Sequence, residues 1–302
     1  MSWQEEVKRT AHRIRLRVLE HTVNGNGGYL SQACSSADIM ATLYKRAMKL
    51  APLDAPIIPG RFEGTPKAGR KAVTGACFNG AGRPDCDNFI LSPAQYALAL
   101  YATLVEVGRM DPLGMEQYNL DGGSVEMIGA EHSPGMEVTT GSLGQGVSQA
   151  AGIAFARKRR GDSGRVFLFL SDGECQSGEF WEAVQAASYH GLDNLIAFID
   201  VNGFQCDGKM TSVMNIEPFD ERIRAFGARV ERIDGHNVDE IARCAALEPC
   251  GKPTFVLCDT DPCRDLEFLR ERFPKFHYIR FLEPGSREEY RKRYEALKKE
   301  VE

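Results

Sequence analysis

Val166-Phe167-Leu168-Phe169-Leu170-Ser171-Asp172-Gly173-Glu174 and Leu195-Ile196-Ala197-Phe198-Ile199-Asp200-Val201-Asn202-Gly203 decide how this chain is read. Each is an apolar run short enough for a buried strand, closed by a polar residue and a glycine turn. The 28 residues between Gly173 and Asn202 leave room for one crossover helix. A carboxylate (Asp172) and a carboxamide (Asn202) therefore stand at the carboxyl ends of two neighbouring strands. That edge is where open α/β sheets bind ligands. Two oxygen side chains suit Mg²⁺ or Ca²⁺ better than a soft metal, and Mg²⁺ completes its shell with substrate phosphates. The pair thus calls for a diphosphate between the strand ends. Taken singly, Asp172 also reads as an N-cap and Asn202 as a turn residue.

Outward from these strands the pattern alternates. Gly141-Ser142-Leu143-Gly144-Gln145-Gly146 opens a helix of small residues, Val147 to Arg159. Such a glycine segment lets backbone approach a ligand, and the helix start favours an anion. A helix from Gly178 to His190 ends at Gly191. Strands are expected at Ala228–Ile233 and Thr254–Asp259, separated by a helix over Val238–Leu247. Near-continuous apolar strands alternating with helices predict an α/β fold: a mostly parallel sheet with helices on both faces.

The N-terminal third reads as an amphipathic helix over 3–20, a Gly/Ser/Asn-rich loop over 22–36, and a helix from Asp38 to Leu50. A Pro/Gly-rich segment at 51–88 carries Arg61, Lys67, Arg70, Lys71 and Arg83; a buried helix at Ser92–Val107 follows. Residues 285–302 predict a charged, exposed helix. The whole, 1–302, reads as one domain with an insertion at 51–88.

The net charge of −5 offers no basic field for nucleic acid. No apolar run is long enough to span a bilayer, and Met1-Ser2-Trp3-Gln4-Glu5-Glu6 has acids where a signal peptide has bases. The nine cysteines are odd in number and contain no Cys-x-x-Cys pair. They read as reduced thiols, placing the chain in the cytoplasm. Cys77 and Cys86 are not at a usual zinc spacing. Cys175 lies near a helix start that would lower its pKa.

Together the three segments resemble the thiamine-diphosphate enzymes, and among them the N-terminal half of transketolases. The resemblance runs from about Gly25 to His277. The family's Gly-Asp-Gly…Asn motif is Ser171-Asp172-Gly173…Asn202. Upstream, Ser133-Pro134-Gly135-Met136-Glu137-Val138-Thr139-Thr140 leads into Gly141-Ser142-Leu143-Gly144-Gln145-Gly146 in nearly the family's wording. By this resemblance, Asp172, the Asn202 amide oxygen and the Phe204 carbonyl would hold Mg²⁺ or Ca²⁺. Gly173 N–H, followed by Glu174, would border the diphosphate, and Gly141, Ser142 and Leu143 would line the cofactor. His277 matches a family histidine that touches the cofactor and orients substrate.

Other family histidines are replaced. Tyr29 and Gln95 stand where two of them lie, and the third falls at Met127, with His132 near enough to substitute. Tyr29 titrates near ~10, and Gln95 can donate to a diphosphate but cannot relay a proton. Ser177 stands where the family has an interface glutamate. His236 reads as structural. The glutamate that activates the aminopyrimidine lies in a second family domain, which this chain does not contain. The resemblance thus implies a split transketolase. A separate C-terminal-type subunit would supply the glutamate, in an α₂β₂ heterotetramer that moves a two-carbon ketol or acyl unit to an aldehyde. The lost histidines leave two alternatives: decarboxylative transfer from a 2-keto acid, or a non-catalytic partner subunit.

Overall fold

A computed structural model describes residues 1–64, 67–69, 74–80 and 82–299; Arg70 and Lys71 lie outside them. Five parallel strands form the central sheet: β1 (Asn88–Leu91), β2 (Val166–Ser171), β3 (Leu195–Val201), β4 (Arg229–Asp234) and β5 (Thr254–Asp259). Their spatial order is β1-β2-β3-β5-β4. Ser171 lies opposite Asp200, and Val201 opposite Asp259, so β2 and β3 end side by side.

Successive side chains of a strand point to opposite faces, and here both faces are apolar. Phe167, Phe169, Phe198 and Val256 face one layer. That layer is α1 (Trp3–Asn24), α2 (Leu30–Thr42) and α3 (Ala97–Glu106), which contribute Ile14, Leu19, Ile39 and Leu100. Leu168, Leu170, Ala197, Ile199 and Leu257 face the other layer. It is built by α4 (Gln145–Arg160) and α5 (Gly178–Tyr189), with Val147, Ala150, Ala154, Phe180 and Val184. Emptying such a site, as in Phe169→Ala, costs about 3–5 kcal/mol.

α1 starts at a capping box: Ser2 Oγ accepts the Glu5 N–H, and Glu5 accepts the Ser2 N–H. The expected loop at 22–36 is largely helical. α1 runs through Asn24, Gly27–Gly28 pairs antiparallel with Ile279–Arg280, and α2 begins at Leu30. Every residue from Leu30 to Thr42 is buried, so tertiary packing overrides a composition that reads as loop. The expected helix at 92–107 starts later, as α3, after a 3₁₀ turn at Ala94–Tyr96; β1, only four residues long, was not anticipated. The described part of 51–88 is tied down. Ile57 pairs with Met110, Arg61 with Gly123, and Gly75–Asn79 forms a 3₁₀ turn.

The C-terminal helix, α6, spans Ser286–Lys299 and is not simply exposed. Tyr290 and Tyr294 are buried, and Arg287 donates to the Val23 and Asn24 carbonyls, 2.6 Å each. Those carbonyls belong to the last turn of α1, which lacks helical partners of its own.

Candidate functional site

Asp172 leaves the end of β2 with its N–H on the Asp200 carbonyl, 3.1 Å away. Its Oδ2 accepts the Gly203 N–H at 2.9 Å. Its Oδ1 is buried and meets no donor among the described residues. Burial, with the nearby Asp200 carboxylate, holds the Asp172 pKa well above the usual range. A buried acceptor without a partner is expensive. A hard cation relieves both the orphaned oxygen and the desolvated charge.

Asn202 closes β3 beside it. Its Oδ1 accepts the Phe204 N–H at 2.9 Å, and its Nδ2 donates to Tyr96 Oη (3.0 Å) and Asp200 Oδ2 (3.1 Å). Asp200 is the hub behind the edge. Completely buried, it also accepts from Ser35 Oγ at 2.5 Å, Tyr96 Oη at 2.6 Å and Thr260 Oγ1. Burial raises its pKa against those four donors. Sequence reading missed Asp200, Tyr96 and Ser35; the available signal was an aspartate inside the apolar run Leu195–Val201.

The glycine loop is set by a second buried acid. Glu174 Oε1 accepts the Ser171 N–H at 3.0 Å, and Oε2 accepts the Gly144 N–H at 3.0 Å and Ser92 Oγ at 2.5 Å. Burial pushes its pKa up to about 7. Both oxygens are turned inward, so Glu174 positions the loop; this corrects the expectation that it borders a diphosphate directly. Gly141 and Gly144 have φ of +112° and +92°, values that suit only glycine. A Cβ on Gly144 would lie 2.0 Å from Ser177 Oγ. Ser142 and Leu143 are exposed at the strand-end side of this loop. A Cβ on Gly173 would sit 3.2 Å from Gln205 Cβ, so backbone lies close here.

Gln95, half-buried, sits in the Ala94–Tyr96 turn, between Ala94 at Gly141 and Tyr96 at Asn202. Ile128, next to Met127, also touches the Gly141 position. Tyr29 and His277 are brought together by the ribbon of Gly27–Gly28 with Ile279–Arg280. Their ring centroids are 5.7 Å apart, edge-on, and Tyr29 meets Tyr278 at 4.8 Å. His277 Nδ1 lies 3.1 Å from Gln32 Nε2, which leaves Nε2 to carry the proton. Burial lowers the His277 pKa and raises that of Tyr29. Phe276, adjacent to His277, packs on Phe204 at 5.0 Å, so the His277 segment rests on the loop after Asn202.

His132 is elsewhere. It bonds Glu126 at 3.0 Å and stacks on Phe62 at 4.2 Å, and no described contact joins it to Tyr29 or His277. His236 bridges Asp38 and the Asp261 N–H, 2.8 Å each, a structural role. Cys175 is fully buried with its thiol on the Ser171 carbonyl; burial pushes its pKa up, not down.

Comparison with known proteins places this geometry. Residues 79–261 match the family model described as transketolase, thiamine diphosphate binding domain. A transketolase family protein, y4mO, of Sinorhizobium fredii is 36% identical over 274 residues, 89% of this chain and 88% of its own. The chain belongs to the transketolase family. The 6-deoxy-6-sulfo-D-fructose transketolase subunit SqwG of a Clostridium species is 32% identical, over 85% of both chains. An apulose-4-phosphate transketolase subunit of Actinobacillus succinogenes is 27% identical, over 91% of both. The Campylobacter jejuni transketolase structure superimposes with a TM-score of 0.67 at 20% identity. That match covers 98% of this chain but 47% of the other, so the chain spans under half of the solved transketolase. The matched domain contains Asp172, Asn202 and the Gly141–Gly144 loop, and the orphaned Asp172 Oδ1 fits a metal held against a diphosphate.

Proposed function

We propose that this chain is the diphosphate-binding subunit of a two-component, thiamine-diphosphate-dependent transketolase-like transferase. It would move a two-carbon ketol unit from a donor to an aldehyde acceptor. The observation that carries the reading is the buried, unpartnered Asp172 Oδ1 beside Asn202 at the ends of adjacent strands. Two relatives of matching coverage are named as transketolase subunits, which supports a separate partner.

Asp172, the Asn202 Oδ1 and the Phe204 carbonyl would hold Mg²⁺ (or Ca²⁺), with diphosphate oxygens completing the shell. Gly173 N–H, the Gly141–Leu143 backbone and Gln95 would contact the cofactor. When bound, the cofactor supplies an electron sink for cleaving the donor C–C bond. The chain's own work is positional. Asp200 fixes the Asn202 amide, Glu174 fixes the Gly144 turn, and Gln32 fixes His277 so that its Nε2–H can orient a donor oxygen. Tyr29 walls the same side. The partner would contribute the activating glutamate, in an α₂β₂ assembly, and the free thiols fit the cytoplasm.

The Tyr29–Tyr278 aromatic wall beside His277 favours one second reading, decarboxylative transfer from a 2-keto acid. Calorimetric titration of thiamine diphosphate with Mg²⁺ tests the proposal, on this chain alone and with the protein encoded beside it. Tight binding in the pair supports it; no binding in either case refutes it. A donor screen of the pair, ketose phosphates against pyruvate, then separates the two reactions.

A further inference from the structure

We propose that the groove between α1 and the C-terminal helix α6 is a second anion site, built for a small phosphate-bearing molecule such as a polyphosphate or phosphate ester. The groove has a volume of about 420 Å³ and is lined by Arg9, Arg13, Arg17, Glu20, Glu106 and Lys298 over Leu16 and Tyr294. That volume is in the range that holds small ligands.

Its charges do not cancel. Arg17 is spent on Glu106, with Nε 2.7 Å from Oε1, and Glu20 engages the Tyr294 hydroxyl. Glu106 is therefore paired, while Glu20 keeps its charge beside the neutral hydroxyl. Arg9 and Arg13 have no hydrogen-bond or ion-pair partner among the described residues. Lys298 meets only the Tyr294 ring, 5.8 Å from its centroid. Among the described residues the groove thus sets four cations, Arg9, Arg13, Arg17 and Lys298, against two carboxylates, Glu20 and Glu106, and is left net positive. Elsewhere Arg157, Arg165, Arg232 and Arg270 each pair with a carboxylate. Even on α1 itself, Glu6 is matched by Lys45.

The spacing adds to the argument. Arg9, Arg13 and Arg17 recur every four residues, on one face of α1. Like charges at that spacing destabilise a helix, so the row has a cost that a bound anion would remove. Arg9 and Arg13 are about 6 Å apart along the axis, close enough for two guanidiniums to hold one multiply charged ligand. Lys298 supplies a third, movable donor from the facing helix. None of the groove's lining residues belongs to the strand-end edge. Its Arg9 end lies about 24 Å of helix from Gly25, where α1 gives way to the Tyr29 turn, and its Glu20 end about 8 Å.

The test uses inorganic tripolyphosphate as the probe, in phosphate-free buffer with EDTA, on the full chain. Calorimetry should show one saturable site, weakened at least tenfold in the double variant Arg9→Gln/Arg13→Gln and unchanged in Asp172→Ala. Hydrogen exchange should slow in α1 near 9–17 and in α6 near 294–299, and not at 141–144. The double variant should melt at or above the parent temperature, since it removes repulsion. No saturable binding, equal binding by the double variant, or protection confined to 141–144 would overturn the proposal. So would displacement of the probe by the partner protein on its own, which would make the groove an interface.

Discussion

Replacing Asp200 tests whether the ligand edge depends on one buried carboxylate. In Asp200→Ala, four donors lose their acceptor: Ser35 Oγ, Tyr96 Oη, Asn202 Nδ2 and Thr260 Oγ1. Ser35 has the Gln32 carbonyl at 3.2 Å as a fallback, and a threonine hydroxyl can rotate. Tyr96 and Asn202 keep their mutual bond but face a dry hole. Two orphaned buried donors at about 1–3 kcal/mol each give a loss of about 2–6 kcal/mol. That is a large share of a typical domain's 5–15 kcal/mol. Asp200→Asn differs. Its oxygen can keep the three donors on the Oδ2 side, while its amide donates to Thr260 Oγ1. Only charge assistance is lost, and a buried charge is removed, so about 1.5 kcal/mol or less is expected. Urea unfolding of the two variants, monitored by circular dichroism, gives the comparison. Thiamine diphosphate titration with Mg²⁺ should show weaker binding in the alanine variant, because the Asn202 amide has lost its anchor. An alanine variant within about 1 kcal/mol of the parent, or an asparagine variant equally damaged, would refute the hub.

Asp172→Asn keeps an acceptor for the Gly203 N–H but removes the buried charge, so the metal-free chain should gain about 1 kcal/mol or more while losing Mg²⁺-dependent cofactor binding; a melt and a titration report the two effects. Gly144→Ala combines a φ of +92° with a 2.0 Å approach to Ser177 Oγ and should cost at least about 2 kcal/mol in urea. Stability of the metal-free chain should fall between pH 5 and 7.5. Burial raises the Glu174 pKa to about 7 from 4.5, so the folded state holds a proton that the unfolded state has released, and the unfolding free energy drops with rising pH, by about 3 kcal/mol from this group. Acids with depressed pKa values, such as Asp265 at about 2, act only below that window. His21 and His277, whose pKa values burial lowers, add stability as pH rises towards 6.5, so the fall is read as parent minus Glu174→Gln, and a flat difference would sink the assignment. Gln32→Leu frees His277 Nδ1 without touching the metal edge; with the partner present, kcat should fall while cofactor affinity stays within about twofold, and an unchanged kcat would remove His277 orientation from the mechanism.

The parts of this molecule that were legible in its sequence are those where one residue's chemistry and its local pattern coincide. Apolar runs at β2, β3, β4 and β5 gave the parallel sheet, and a polar residue before a glycine marked the edge at Asp172 and Asn202. The misread parts are those where burial overrides local signals. Leu30–Ser36 reads as a loop by composition and folds as a helix because every side chain is enclosed. β1 is too short for a periodicity to declare itself. The site shows the same division. Asp172 was visible at a strand terminus. Asp200, one strand away, looked like an interruption in an apolar run, although it holds Asn202 in place. Its donors come from positions 35, 96, 202 and 260, and no local window contains that convergence. Glu174 was visible but assigned to the wrong side, because sequence gives a side chain's position along the strand and not its direction. With both oxygens consumed at Ser171, Ser92 and Gly144, it couples β1, β2 and the start of α4. The two buried acids thus do the same job on either side of the edge: each exchanges a desolvation cost for the fixed orientation of one group, an amide or a glycine N–H, that a diphosphate and its metal would need.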